Sequence, residues 1–293
     1  MKKSVYKIGH VYIEVNVPND MEIPRNLSKF EVDMEKENVV PKMRYYFEFV
    51  DNILVKEKEL LEKKISGREA KRENLYVFQT DMGECRRINL VGDPFPYAMT
   101  LQTSEDTTKI WFERFYEKLT NHDTVFNSTL ALERIMIDDN AMIFHSAFIN
   151  YKDTAVLFSA PSETGKTTQA NLWEEHRGTY TVNGDRSLLI REEDGWYAHG
   201  WPLCGTSETC HNEAYPIRAI VMLKQAKENT VYRLFGIKAL REIMGEITIN
   251  SWDREFQMKA MDQLEMLLAE VPVYMLECNI SEGAVRCLEE ELR

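Results

Sequence analysis

The residues with the clearest chemical potential lie in the stretch SAPSETGKTT, which spans positions 159–168. Its ending, Gly165-Lys166-Thr167, matches the end of the phosphate-binding pattern G-x-x-x-x-G-K-[ST], although Ala160 stands where the pattern has its first glycine. In such a loop, backbone N–H groups at a helix N-terminus hold an anion, the lysine reaches the β- and γ-phosphates, and the Thr167 hydroxyl ligates Mg²⁺. The stretch therefore predicts a nucleotide site.

The predicted nucleotide contacts are consecutive residues of this loop. They are Ser162, Glu163, Thr164, Gly165, Lys166, Thr167 and Thr168. Gly165 allows the backbone to approach the phosphates closely, and Ala160 is tolerable if its position has an ordinary backbone conformation. A carboxylate at Glu163 adds negative charge beside the phosphates, so we expect it to point outward. The competing interpretation is that the threonines only cap a helix and that Lys166 is solvated.

The loop needs a strand before it and a helix behind it, and the sequence offers both. TAVLFSA is an apolar run that predicts a strand ending at the loop, and TTQANLWEEH predicts the helix. These two neighbours favour the nucleotide site over the capping interpretation.

A kinase with this loop also needs an acid downstream, and Asp185 follows a short β-branched run in YTVNGDRSLLI. An aspartate at a strand end can serve as a base or as a metal ligand. Asn183-Gly184-Asp185 is also strong turn chemistry, and both interpretations can hold together.

The composition of the chain changes near residue 120. Residues 1–120 predict a β-rich N-terminal domain, because segments such as VYIEV alternate apolar and polar residues and MRYYFEFV is aromatic and β-branched. The charged stretch at 53–74 fits either a helix or a solvated hairpin, and we favour a solvated face. Residues 121–293 alternate strand and helix patterns, which predicts an α/β domain.

Composition excludes several classes of protein. The chain has 293 residues and a net charge of −12, which argues against a nucleic-acid binder. It has no signal-peptide pattern and no apolar run approaching the roughly 18 residues of a membrane span, so we expect a cytoplasmic protein with no membrane partner. The five cysteines are scattered, and Cys204, Cys210 and His211 lack the fourth ligand and spacing of a zinc site.

From His145 to about Leu234, the order of motifs resembles the HPr kinase-like family, serine kinases that share a P-loop nucleotide-binding fold with phosphoenolpyruvate carboxykinase. The motifs are His145-Ser146-Ala147, LFSAPSETGKTTQANLW, VNGDRSLLI, HGWPLCGTSE and YPIRAIVMLKQAKENTVYRL. The resemblance covers roughly the C-terminal 170 residues. It implies that Lys166 is the phosphate ligand, Thr167 a metal ligand, Asp185 the base and His145 an auxiliary group.

The sequence departs from HPr kinases at several positions. Gly184 stands where they have the first of two aspartates, their glycine-rich signature is absent near Trp201–Gly205, and Thr206 stands where related small kinases often have a lysine. The resemblance therefore implies a kinase-like protein that is not HPr kinase/phosphorylase itself.

The function that these observations predict is Mg²⁺-dependent transfer of a phosphoryl group from ATP or GTP to a serine-type hydroxyl. The expected acceptor is a protein or a peptide, including a small precursor peptide. Arg186 could stabilise the transferring group, although an ion pair is the plainer interpretation. A non-catalytic nucleotide-binding adaptor is the alternative, and a carboxykinase-like decarboxylating enzyme ranks last because no arginine cluster surrounds the loop.

Overall fold

The computed structural model describes residues 1–33, 39–161 and 164–293, and the chain divides into two compact units. The first unit is Met1–Ile135 with Asn250–Arg254, and the second is Met136–Ile249 with Glu255–Arg293. Both units contain helices and strands, and each is built on its own β-sheet.

The first unit is dominated by strands. They are β1 (Lys2–Ile8), β2 (Val11–Val17), β3 (Glu31–Val32), β4 (Met43–Val50), β5 (Lys64–Lys71), β6 (Leu75–Thr80), β7 (Glu84–Asn89), β8 (Pro96–Ser104) and β9 (Thr107–Glu113). Among the described residues they form one sheet in the order β3-β1-β2-β4-β9-β8-β7-β6-β5, in which β4 runs parallel to both β2 and β9. The β-rich character predicted for this part of the chain is therefore present.

Helices of the first unit are short. They are α1 (Arg25–Ser28), α2 (Ile53–Glu62), α3 (Asp123–Leu130) and most of α4 (Leu132–Ile137), with a 3₁₀ helix at Arg114–Asn121. The charged stretch forms α2 followed by β5, because the Asn52 side chain caps the helix by accepting from the Leu54 N–H, and Ile53 and Leu60 are buried beneath it. The stretch is thus a helix in its first half and a strand in its second.

The division between the units lies inside α4, between Ile135 and Met136, whereas the sequence predicted it near residue 120. The reason is that α3 packs on the first sheet. The Phe126 ring stacks on Phe47 with centroids 4.8 Å apart, and the Tyr45 hydroxyl donates to the Leu130 carbonyl at 2.7 Å. Helical spacing alone does not show which sheet a helix covers.

The second unit alternates strands and helices. Its strands are β10 (Ala141–Tyr151), β11 (Thr154–Ser159), β12 (Tyr180–Asn183), β13 (Arg186–Glu192), β14 (Gly195–His199), β15 (Ala214–Gln225), β16 (Thr230–Leu234) and β17 (Val273–Cys278). Its helices are α5 (Lys166–Arg177), α6 (Gly236–Met244), α7 (Arg254–Glu270) and α8 (Glu282–Glu291), with a 3₁₀ turn at Gly205–Ser207. This is a mixed α/β arrangement.

The second sheet runs β11-β10-β13-β14-β15-β17-β16, with β12 beside β10, and β11 also pairs with β15. β11, β15 and β17 are parallel neighbours, so their carboxyl ends lie at one edge. The near-continuous apolar centre of β15 is explained by burial on both faces, because Ile220 belongs to one core and Val221 to the other. Within the described ranges, no helix is long and apolar enough to cross a membrane.

Candidate functional site

The loop predicted to bind phosphate connects the end of β11 at Ser159 to the start of α5 at Lys166, so the predicted strand and helix are confirmed on either side of it. Gly165 precedes the helix with φ of +119°, a region that favours glycine. Ser162 and Glu163 lie outside the described residues. Thr164 N–H donates to the Pro161 carbonyl at 3.3 Å.

Lys166 is a buried cation whose hydrogen-bond partners among the described residues are backbone carbonyls. Its side chain donates from Nζ to the Ala160 carbonyl at 2.8 Å and to the Pro161 carbonyl at 3.5 Å, and the residue is 8% exposed. Among the described residues, no carboxylate lies within ion-pair distance of Nζ. Burial lowers the pKa of Lys166, although the more distant charges of Glu246 and Asp185 act in the opposite direction. A bound anion would supply the missing counter-charge, so this lysine fits a phosphate.

The two threonines that follow Lys166 are accessible to different degrees. Thr167 is exposed and Thr168 is half-buried. Thr167 lines a small cavity of about 150 Å³ that is also lined by Gly184, Ser207 and Thr209. Thr167, the predicted metal ligand, therefore lines the same cavity as Gly184, the residue before Asp185.

The backbone at Asp185 is held by Asn183, which is fully buried. The Asn183 Oδ1 accepts from the N–H groups of Asp185 and Arg186, both at 3.0 Å, and its Nδ2 donates to the Trp201 carbonyl at 2.7 Å. This is the asparagine-led turn that the sequence predicted. Because Ser146 N–H donates to the Asp185 carbonyl at 3.0 Å, the turn is also fixed to β10.

The Asp185 carboxylate lies beside the side chains of His145 and Arg186. His145 Nε2 lies 3.5 Å from Oδ1, and Arg186 Nε lies 3.4 Å from Oδ2. Burial raises the pKa of Asp185, but the hydrogen bond from His145 and the charges of Arg186, His145 and Lys166 outweigh it, so the pKa lies below its ordinary value. The carboxylate is therefore ionised at neutral pH, as a base or a metal ligand must be.

Glu246 is a member of this group that sequence reasoning missed. His145 Nδ1 lies 2.8 Å from the Glu246 Oε2, and the backbone N–H of His145 donates to the Glu246 carbonyl at 2.9 Å. Glu246 follows α6 and precedes Ile247, which bridges to Phe144 of β10. No motif marks it, and it lies in the turn that directly follows α6. It holds the imidazole against Asp185.

Gly184, which stands where HPr kinases have the first of two aspartates, has no room for a side chain. A Cβ there would lie 1.8 Å from the Ser207 Oγ and 2.5 Å from the Ser207 Cβ. A Cβ on Gly205 would come within 3.0 Å of the Asp185 Cγ. Gly205, at the end of the segment Trp201–Gly205 where the glycine-rich signature is absent, therefore packs against Asp185. The side chain of Thr206 lies outside the described part.

Comparisons with known proteins add a family but little about the fold. The family described as "SynChlorMet cassette protein ScmC" matches residues 124–290, more than half of the chain. No curated protein matches. One solved structure that is similar, the Hpr(Ser) kinase/phosphatase from Coxiella burnetii, is 12% identical with a TM-score of 0.30, over 51% of this chain and 97% of that chain. A TM-score this low does not establish a shared fold.

Proposed function

The chain belongs to the ScmC family of SynChlorMet cassette proteins, and on that premise we propose that it is an Mg²⁺-dependent kinase that transfers phosphate from a nucleoside triphosphate to a serine-type hydroxyl. The observation that carries the proposal is that Lys166 and Asp185 are close enough for the charge of each to act on the pKa of the other. The lysine is buried without a counter-ion among the described residues, and the aspartate is held ionised beside His145. The first residue attracts phosphate, and the second accepts a proton.

Each residue has a distinct role in the proposed reaction. Lys166 and the backbone N–H groups at the start of α5 bind and orient the β- and γ-phosphates. Thr167 and Asp185 are the side chains that would hold Mg²⁺, and bound Mg²⁺ supplies charge neutralisation at the phosphates. Their oxygen ligands suit this cation.

Asp185 orients the acceptor hydroxyl and takes its proton. A bond forms between the acceptor oxygen and the γ-phosphorus, the bond from that phosphorus to the β–γ bridging oxygen breaks, and the nucleoside diphosphate leaves. Arg186 forms an ion pair with the Asp185 carboxylate and donates from Nη1 to the Thr248 hydroxyl at 3.3 Å. We therefore give it no direct part in the transfer.

The acceptor that we propose is a serine-type hydroxyl of a protein or a peptide. A hydroxyl acceptor must lose its proton as the phosphoryl group is transferred. The Asp185 carboxylate beside His145 is suited to accept that proton.

A labelled-phosphate assay tests the proposal. The protein is incubated with ATP carrying ³²P at the γ-position, Mg²⁺, and serine-containing peptides or partner proteins from its own cassette. We expect labelled acceptor with the wild type and a loss of about 10²- to 10⁴-fold with Asp185→Asn. Equal labelling by both proteins would remove Asp185 as the base. Nucleotide binding without labelling of any acceptor would instead make the chain a nucleotide-binding adaptor.

A further inference from the structure

A second cavity lies beside the loop, at the edge where the parallel strands end. It measures about 470 Å³ and is lined by Thr164 and Gly165 of the loop, by the start of α5, and by the ends of β15 and β17. In open α/β sheets, ligands bind outside the carboxyl ends of the strands, and cavities of this size suit small molecules. Because Gln225 Nε2 donates to the Thr164 carbonyl at 3.3 Å, the cavity shares a wall with the loop.

One buried side chain in this cavity has an unused hydrogen-bond acceptor. Gln169 lines the cavity and is 3% exposed. Its Nε2 donates to the Cys278 Sγ at 3.2 Å, whereas its Oε1 has no hydrogen-bond partner among the described residues. Leaving a buried acceptor unpaired is costly, so such an oxygen is a reason to expect a ligand that donates to it.

Cys278 is the hydrogen-bond partner of the Gln169 amide nitrogen. It also lines the cavity, and burial raises the pKa of its thiol to about 11, so the sulfur is neutral at pH 7. With the amide nitrogen directed at this sulfur, the amide oxygen is left without a partner among the described residues.

We propose that this cavity receives the base of the nucleotide and that the Gln169 amide oxygen makes the site specific for adenine. The 6-amino group of adenine is a hydrogen-bond donor, whereas guanine presents an acceptor, O6, at the same place. A guanine would therefore set two acceptors against each other and leave both unpaired. The inference rests on the proposed function in one respect: it supposes that the phosphates of the same nucleotide lie at Lys166.

The test is a set of calorimetric titrations with ATP, GTP and adenosine. The wild type is expected to bind ATP at least about tenfold more tightly than GTP, because one hydrogen bond is made with the first and lost with the second. Gln169→Met, which keeps the length of the side chain and removes the acceptor, is expected to bring the two affinities within about threefold of each other.

Gln263→Met is the matched control. Gln263 is also buried, also donates from Nε2 to one partner, the Ile137 carbonyl, and also has an unpaired Oε1 among the described residues, but it is not part of the cavity. It is expected to keep the wild-type ratio of ATP to GTP affinity. Melting curves of both variants show whether either has lost its fold.

The outcomes separate this inference from the proposed function. Equal affinity of the wild type for ATP and GTP, a preference for GTP, or an unchanged ratio in a folded Gln169→Met protein would overturn adenine recognition and leave phosphate transfer standing. Adenosine binding that depends on Gln169, without phosphate transfer to any hydroxyl, would support the cavity and contradict the kinase. Absence of binding by all three ligands would contradict both.

Discussion

Two buried cations in this molecule have opposite surroundings. Arg86 in the first unit is 4% exposed and pairs with Glu84 at 2.9 Å and Glu133 at 2.7 Å. Lys166 in the second unit is 8% exposed and has only loop carbonyls within hydrogen-bond distance among the described residues. Burial disfavours the charged form of both side chains. It lowers the pKa of Arg86, but the charges of Glu133 and Glu84 outweigh it and raise that pKa, whereas burial prevails at Lys166 and the pKa falls.

The difference distinguishes a structural charge from a functional one. A buried cation with two carboxylates has already used its charge within the protein, so an incoming anion gains little from it. A buried cation with carbonyl partners keeps most of its charge for a ligand, at a cost in stability that the ligand recovers. We therefore expect Arg86 to control folding and Lys166 to control binding.

The largest expected effect is on folding through Arg86. Arg86→Met leaves the partly buried Glu133 carboxylate with the Asn250 hydrogen bond but without the Arg86 counter-charge, so the free energy of unfolding is expected to fall by about 3–5 kcal/mol. Urea unfolding of wild type and variant measures this change. The control is Arg86→Met combined with Glu133→Leu, which removes both charges and is expected to recover part of the loss. No loss in the single variant would mean that the two buried cations do not differ as described.

The next effect concerns the turn at Asp185. Gly184→Asp forces a Cβ into Ser207, so we expect a loss of about 1–3 kcal/mol in unfolding free energy. Ser207→Gly alone removes the obstructing side chain, and the double variant Gly184→Asp/Ser207→Gly is expected to be more stable than Gly184→Asp. Chemical denaturation of the three variants measures this coupling. If the double variant is no more stable than Gly184→Asp, the steric explanation for the glycine at position 184 is wrong.

A smaller effect is expected at Glu246, as a residue that positions His145. Glu246→Leu removes the acceptor for the His145 ring, and we expect kcat to fall about tenfold with KM for ATP changed less than about twofold. Glu246→Gln keeps an acceptor oxygen and should recover most of the rate. The control is Glu242→Gln, since Glu242 pairs with the exposed Arg241. Equal losses in the Gln and Leu variants would show that the negative charge, not the hydrogen bond, is what matters.

The smallest effect is a pH dependence of stability in the first unit. Burial raises the pKa of Glu133, but the charge of Arg86 and hydrogen bonds from Asn250 and Arg86 outweigh it, so the pKa lies below the ordinary 4.5. The stabilisation by this carboxylate is complete above pH 4.5 and is lost as the pH falls through its lower pKa in the folded protein. Melting temperatures of wild type and Glu133→Gln should converge on acidification. A gap that widens as the pH falls would contradict this sign.

The sequence predicted the elements around the candidate site better than the contacts that complete it. The strand before the loop, the helix behind it and the Asn183 turn follow from local patterns, because apolar runs, helical spacing and turn chemistry act over a few residues. Glu246 could not be found this way, since it reaches His145 from 101 positions along the chain. The obstruction of Gly184 by Ser207 and the unpaired oxygen of Gln169 also depend on long-range packing, which spacing does not encode.

The most direct test of the contrast between the two cations is a titration of Mg²⁺-ATP into wild type, Lys166→Met and Arg86→Met at a temperature where all three are folded. Lys166→Met is expected to weaken ATP binding by about a hundredfold or more, a difference of roughly 2.7 kcal/mol, without lowering the melting temperature of the ligand-free protein. Arg86→Met is expected to keep the wild-type affinity. ATP binding of wild-type strength by folded Lys166→Met would contradict the account.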